Sequence, residues 1–323
     1  MRSDPENPSL IAVVGAGTIG ASWASQFLAK GLKVRVYDPS PDTETKTRAF
    51  IKTAWPSLQR LGLASNADPE RIEFAATPAA AVEGADLVQE SGPENLGAKH
   101  ALYESMETAL SDDTIIASST SGFMPSSLQK NRKHPERYIV AHPFNPPHLI
   151  PLVEVVRSEK TDDSVMDWAM TFYEWLGKKP IRIEREMAGH VANRMQAALY
   201  REAIHLVLEG VASADDVDAA VAYGPGLRWA MMGPHRSHDL GGGEGGMQHL
   251  LEHIGPNIDA WWQDLGKPRI NAETVEKLVS AYAATKPPSI TELAKERDVL
   301  LIELLTALQR GRESLQLQEQ SDE

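Results

Sequence analysis

The 323-residue sequence predicts an α/β fold in which a doubly wound, mainly parallel sheet is followed by an all-helical region. Two observations predict it. From residue 10 to about residue 185, short apolar runs alternate with helix-like stretches, the rhythm of repeated βαβ units. Beyond Met187–Gly189 the rhythm stops, and apolar residues fall at helical spacing, as in Val191, Met195, Leu199, Ala203 and Leu206. The boundary divides the chain into residues 1–187 and residues 188–323.

The elements follow in order. LIAVV (10–14) is an apolar strand, followed by a helix from Gly20 to Lys30, the strand KVRVY (33–37) and a long helix from about Pro41 to Leu61. RIEFA (71–75), DLVQE (86–90), TIIAS (114–118), RYIVA (137–141), LVEVV (152–156) and PIRIE (180–184) complete the strands, with helices notably over 96–110 and 164–176. The second region reads as helices broken at GPG (224–226), GGGEGG (241–246) and GP (255–256), and the polar end from about Glu313 is expected to fray.

Bulk chemistry excludes several classes. With 45 Asp and Glu against 32 Lys and Arg, the net charge of −13 disfavours nucleic acid or an anionic membrane as partner. The absence of cysteine removes disulfides, thiolate metal sites and a thiol nucleophile. No apolar run approaches the ~18 residues of a membrane helix, and MRSDPENPS has no signal-peptide h-region, so a cytoplasmic location is expected.

After the first strand comes GAGTIG, formed by Gly15, Ala16, Gly17, Thr18, Ile19 and Gly20. In a GxGxxG turn the first glycine allows the tight bend, the second a close approach of backbone to pyrophosphate, and the third close helix–strand packing. The helix N-terminus then directs free N–H groups at the phosphates. Asp38 ends the next strand, where a carboxylate accepts ribose hydroxyls and repels a 2′-phosphate; NAD is therefore expected rather than NADP. Arg35, before it, is not read as a phosphate clamp.

Three polar clusters follow later strands, where open α/β sheets bind their ligands. They are SSTSG (118–122), HPFNPP (142–147) and Glu154 within LVEVV. A carboxylate in an apolar strand needs a partner, unless the strand lies at an edge and faces water. His142 precedes a proline, which holds its backbone extended.

These motifs, together with PENLGAK (93–99) and GHVANRMQAALYREAIHLVLEG (189–210), closely resemble the 3-hydroxyacyl-CoA dehydrogenase family over most of the chain. The resemblance implies a Rossmann-type NAD-binding domain, a helical domain that forms a homodimer, and a site between them. It assigns His142 as catalytic base with Glu154 as its partner, Ser121 and Asn193 to the substrate oxygen, and Glu94, Lys99 and Ser119 to the cofactor's vicinity. The residue types suit the chemistry. An imidazole titrates near neutrality and takes a hydroxyl proton as hydride leaves carbon, while a carboxylate orients it and stabilises the imidazolium. No metal is required, and there is no HExxH pattern.

Within the family, SSTSG, HPFNPPHLIPLVEV and GPGLRWAMMGP (224–234) resemble the branch of L-carnitine 3-dehydrogenases and lambda-crystallin/L-gulonate 3-dehydrogenases. Arg228 is the candidate clamp for the carboxylate of a small free 3-hydroxy acid, with a surface or dimer-interface arginine as the alternative. Trp229, Phe123 and Tyr200 are candidate aromatic faces for a quaternary ammonium, or core residues. PHRSHDL (234–240), with His235, Arg236 and His238, suits a polyhydroxylated or doubly anionic acid and keeps the substrate open. Two other readings stand beside these. Lys46, Arg48, Lys52 and Arg60 form either a track for CoA phosphates or a solvated helix face, and a crystallin-like structural protein is the non-catalytic alternative.

Overall fold

The computed structural model describes residues 2–322. Eight strands form one sheet: β1 (Ile11–Val14), β2 (Val34–Tyr37), β3 (Ile72–Phe74), β4 (Leu87–Glu90), β5 (Ile115–Ser118), β6 (Tyr138–Pro143), β7 (Leu152–Val156) and β8 (Lys179–Ile183). Between them lie α1 (Thr18–Ala29), α2 (Thr43–Leu61), α3 (Pro78–Val82), α4 (Leu96–Met106), α5 (Pro125–Leu128) and α6 (Asp163–Trp175). The helices after the sheet are α7 (Ala192–Leu208), α8 (Ala214–Tyr223), α9 (Pro225–Met231), α10 (Pro234–Gly241), α11 (Gly246–His253), α12 (Gly255–Asp264), α13 (Ala272–Ala284) and α14 (Ile290–Asp322).

The strand order is β3-β2-β1-β4-β5-β6-β7-β8, parallel from β3 through β6. β7 runs antiparallel to β6, and β8 parallel to β7. This is the doubly wound, mainly parallel sheet that the apolar rhythm predicts. The chain passes from one side of β1 to the other, and such a switch opens a ligand crevice at the carboxyl ends of β1 and β4.

Strand periodicity divides the interior. Ile11, Val13, Val34 and Val36 point to one face, against Trp23, Phe27, Phe172 and Tyr173 of α1 and α6. Ala12, Val14, Val88, Ile116 and Val140 point to the other, against Val82, Tyr103 and Met106. With both faces covered, the strands read as continuous apolar runs rather than alternating ones. Trp23 stacks on Phe27 with centroids 5.4 Å apart, and Trp168 on Phe172 at 5.1 Å.

The chain divides into two compact units, Met1–Asn193 with Asp298–Thr306, and Arg194–Arg297 with Ala307–Glu323. The second is helical and buries few apolar side chains, Ile204, Val217 and Leu250 among them, while Leu227, Trp261 and Trp262 are more than half exposed. Where fraying is expected, α14 instead continues to Asp322; Gln309 and Glu313, one turn apart, share a 2.9 Å hydrogen bond at the start of that segment. Among the described residues no helix is long and apolar enough to cross a membrane.

Phe172→Ala removes a ring enclosed by Phe27, Trp168 and Tyr173. The expected cost is about 3–5 kcal/mol, read as a lower midpoint in urea unfolding followed by tryptophan fluorescence. An unchanged midpoint contradicts this packing.

Candidate active site

The glycine-rich turn is dictated by sterics. Gly15 has φ +94°, and a Cβ there would lie 2.5 Å from the Ser91 carbonyl carbon. A Cβ on Gly20 would lie 1.8 Å from the Gly15 carbonyl oxygen, whereas one on Gly17 would meet nothing within 4 Å. The outer glycines are therefore set by packing, and the middle one leaves a backbone cradle open. Helix α1 begins at Thr18 with no acidic side chain in its first turn, so its positive end is uncompensated. Asp38 accepts hydrogen bonds from the N–H of Ala16 at 2.8 Å and of Ser40 at 2.9 Å, one on each oxygen. Each oxygen keeps a lone pair for a further donor. Arg35 is turned away, bonded to Glu73 and to the carbonyls of Ala80 and Glu83.

His142 and Glu154 are direct cross-strand partners on antiparallel β6 and β7. That register puts both side chains on one face, and His142 Nδ1 lies 2.8 Å from Glu154 Oε2. The other oxygen, Oε1, accepts the N–H groups of Val191 at 2.9 Å and Ala192 at 2.8 Å, at the start of α7. β7 lies between β6 and β8, so the edge-strand alternative for Glu154 does not apply; the residue is fully buried. Burial pushes its carboxyl pKa up, but the hydrogen bonds from His142, Ala192 and Val191 and the charge of His142 outweigh this and hold it below its ordinary value. An ionised carboxylate only accepts, so Nδ1 of His142 carries a proton, which puts the lone pair of the ring's neutral form on Nε2. The ring packs edge-on to Phe144 at 5.2 Å and near His190 at 5.4 Å. The β6–β7 connection is tied down by Lys178, whose buried ammonium donates to the carbonyls of Pro147 and Ile150. Burial lowers its pKa to about 7.

The loop after β5 is held by Glu94. One carboxylate oxygen accepts from the Thr120 hydroxyl and from the N–H groups of Ser121 at 3.2 Å and Gly122 at 3.1 Å. Asn193 Nδ2 donates to the Ser121 carbonyl at 3.3 Å. A chain of contacts thus joins His142, Glu154, the start of α7, Asn193, Ser121 and Glu94. Ser119 bonds Gln89 and Ser91, both at 2.9 Å. Lys99 is almost fully buried, with its ammonium 2.8 and 3.0 Å from the two oxygens of Glu90 and 3.8 Å from Glu94. Glu90 also accepts from Tyr103 at 2.8 Å, Ser118 at 2.6 Å and the Gly92 N–H at 2.7 Å.

Sequence reasoning missed Glu90, His190 and Lys178. The signal for Glu90 was the pair of polar residues closing the apolar strand DLVQE; the other two carry no periodic signal. Arg228 and Trp229 lie on α9 in the second unit, as Tyr200 does on α7, whereas Phe123 packs against the core of the first. Among the described residues no three potential metal-ligating side chains cluster.

Residues 10–187 match the family model described as 3-hydroxyacyl-CoA dehydrogenase, NAD binding domain. Residues 189–285 match 3-hydroxyacyl-CoA dehydrogenase, C-terminal domain. The chain belongs to the 3-hydroxyacyl-CoA dehydrogenase family. This family member is an NAD-dependent oxidoreductase, and the cradle at Gly17 with the lone pairs of Asp38 fits that cofactor. It is similar to L-carnitine dehydrogenase of Streptomyces coelicolor, with 44% identity over 95% of this chain and 97% of that one. The L-carnitine dehydrogenase of Streptomyces griseus is also 44% identical, over 95% and 92% of the two chains. Among solved structures it resembles 5-formyl-3-hydroxy-2-methylpyridine 4-carboxylic acid 5-dehydrogenase, an NAD+-dependent dismutase. The TM-score is 0.81, with 30% identity over 93% of this chain and 98% of that one.

The sign of the Glu154 shift fixes a pH dependence. A folded-state carboxyl below its ordinary value of 4.5 adds stability that is present above that value and lost as pH falls through the folded value. Glu154→Gln is expected to flatten the unfolding free energy between about pH 5 and pH 3, as measured by urea titration at each pH. A wild-type slope retained in the variant contradicts the assignment.

Proposed function

We propose that the protein oxidises the 3-hydroxyl of a small free 3-hydroxy carboxylic acid to the 3-keto acid, with L-carnitine as the first substrate to test. The observation that carries the chemistry is the buried His142–Glu154 pair, with the carboxylate ionised and the Nε2 lone pair left for the reaction. The similarity to L-carnitine dehydrogenases supports the substrate.

In this reading Gly15, Ala16, Gly17, Thr18, Ile19 and Gly20 hold the pyrophosphate of NAD, Asp38 the ribose hydroxyls, and Glu94, Lys99 and Ser119 shape the neighbouring wall. Bound NAD supplies the hydride acceptor. His142 Nε2 takes the hydroxyl proton, and Glu154 stabilises the resulting imidazolium while holding the ring in place. Ser121 and Asn193 hydrogen-bond the substrate oxygen as it becomes a carbonyl. Arg228 clamps the substrate carboxylate with a bidentate pair, and Trp229 offers a face to the quaternary ammonium. Residues 1–187 serve as the cofactor domain, and residues 188–323 as the substrate and dimerisation domain. The exposed Leu227, Trp229, Trp261 and Trp262 support a homodimer, because so much apolar surface calls for a partner. The location is cytoplasmic.

A CoA thioester is the weaker reading. Of the four cations on α2, Lys46 pairs with Asp42, Arg48 with Glu44 and Glu70, and Arg60 with Glu303, which leaves little of a phosphate track.

The test is turnover with NAD against L-carnitine, L-gulonate, 3-hydroxybutyrate and 3-hydroxybutyryl-CoA. A free acid, carnitine foremost, is expected to be oxidised; turnover of the thioester alone overturns the proposal. His142→Ala and Glu154→Gln are expected to lower kcat by about 10²–10⁴-fold with NADH binding retained. Arg228→Met is expected to raise KM for the acid by about tenfold or more. Full activity in either His142 or Glu154 variant removes their roles, and an unchanged KM removes the clamp.

A further inference from the structure

His190 sits where three parts of the site meet. It has φ +50° directly after Gly189 at +75°, so two consecutive residues are left-handed, a conformation uncommon for histidine. That turn delivers the next two N–H groups, those of Val191 and Ala192, to one oxygen of Glu154. The His190 side chain is buried, with its ring centroid 5.4 Å from that of His142 and 47° between the planes. Its Nε2 lies 3.4 Å from the Thr120 carbonyl oxygen. A carbonyl only accepts, so Nε2 carries the proton; Nδ1 is buried without a partner.

We propose that His190 is a positioning residue for the reaction, a wedge that seats the His142 ring against Glu154 and ties it to the Thr120–Gly122 loop. This rests on the reading of His142 as the base. Glu94 and Asn193 also hold this loop, and His190 is the residue that touches both the loop and the base. The charged and titratable groups acting on it are His142, Glu154 and Glu94. Burial first, and then the charge of His142, hold the His190 pKa below its ordinary value. The neutral ring suits the task, because a second imidazolium would oppose proton uptake by His142.

Two variants separate this role from general packing. His190→Ala removes the wedge; His190→Gln carries an amide donor at about the reach of Nε2 and keeps the bond to Thr120. The first readout is proton NMR of the protein without cofactor or substrate, where the shared Nδ1 proton of His142 gives a far-downfield resonance. It is expected to be lost or broadened in H190A and recovered in H190Q. The second is kinetic: kcat for L-carnitine is expected to fall about tenfold or more in H190A, with NADH affinity within about twofold and partial recovery of kcat in H190Q. An unchanged resonance in H190A overturns the proposal. So does a loss of NADH binding and melting temperature in step with kcat, without recovery in H190Q. If wild-type protein leaves carnitine untouched, the substrate reading fails, and the NMR arm alone decides the role of His190.

Discussion

The Glu154 carboxylate ties the proposed base to the segment that opens α7. One oxygen takes the imidazole of His142 from the neighbouring strand, and the other takes two N–H groups at the start of α7. A buried carboxylate is costly unless it is hydrogen-bonded, and here three donors occupy three of its roughly four acceptor sites. The same bonds that compensate the burial orient the histidine, fix its tautomer and anchor the segment that carries His190 and Asn193. Removing the carboxylate would leave an unanchored imidazole and two unsatisfied amides together.

The antiparallel placement of β7 makes this possible. A parallel strand beside β6 would need a crossover, whereas the short return places Glu154 directly opposite His142. The connection is pinned by Lys178, and the facing loop after β5 by Glu94. Below that loop, Glu90 gathers Lys99, Tyr103 and Ser118 into a second buried network at the carboxyl ends of β4 and β5. Rigid strands therefore supply the proposed base and its partner, and side-chain carboxylates position the loops.

Much of this was legible in the sequence, for identifiable reasons. Both-face burial writes each parallel strand as an apolar run, so all eight strands and their approximate limits could be read, and the glycine turn declared itself by spacing. His142 and Glu154 stood out as polar residues at the end of, or within, such runs. Their mutual register was not legible, because strand direction leaves no local mark in LVEVV. Lys99 could be marked but not its burial against Glu90, since an ion pair nine residues apart depends on how α4 packs on the sheet. His190 was invisible because its role comes from a left-handed turn and two contacts distant in sequence. The polar end of α14 continues as helix where composition alone suggested fraying.

The central claim is that His142 and Glu154 act as one catalytic unit, and a double-mutant cycle on kcat/KM for the preferred hydroxy acid tests it most directly. The account predicts that His142→Ala with Glu154→Gln is no slower than the worse single variant, because the carboxylate acts only through the imidazole. Losses that multiply across the two variants would contradict it.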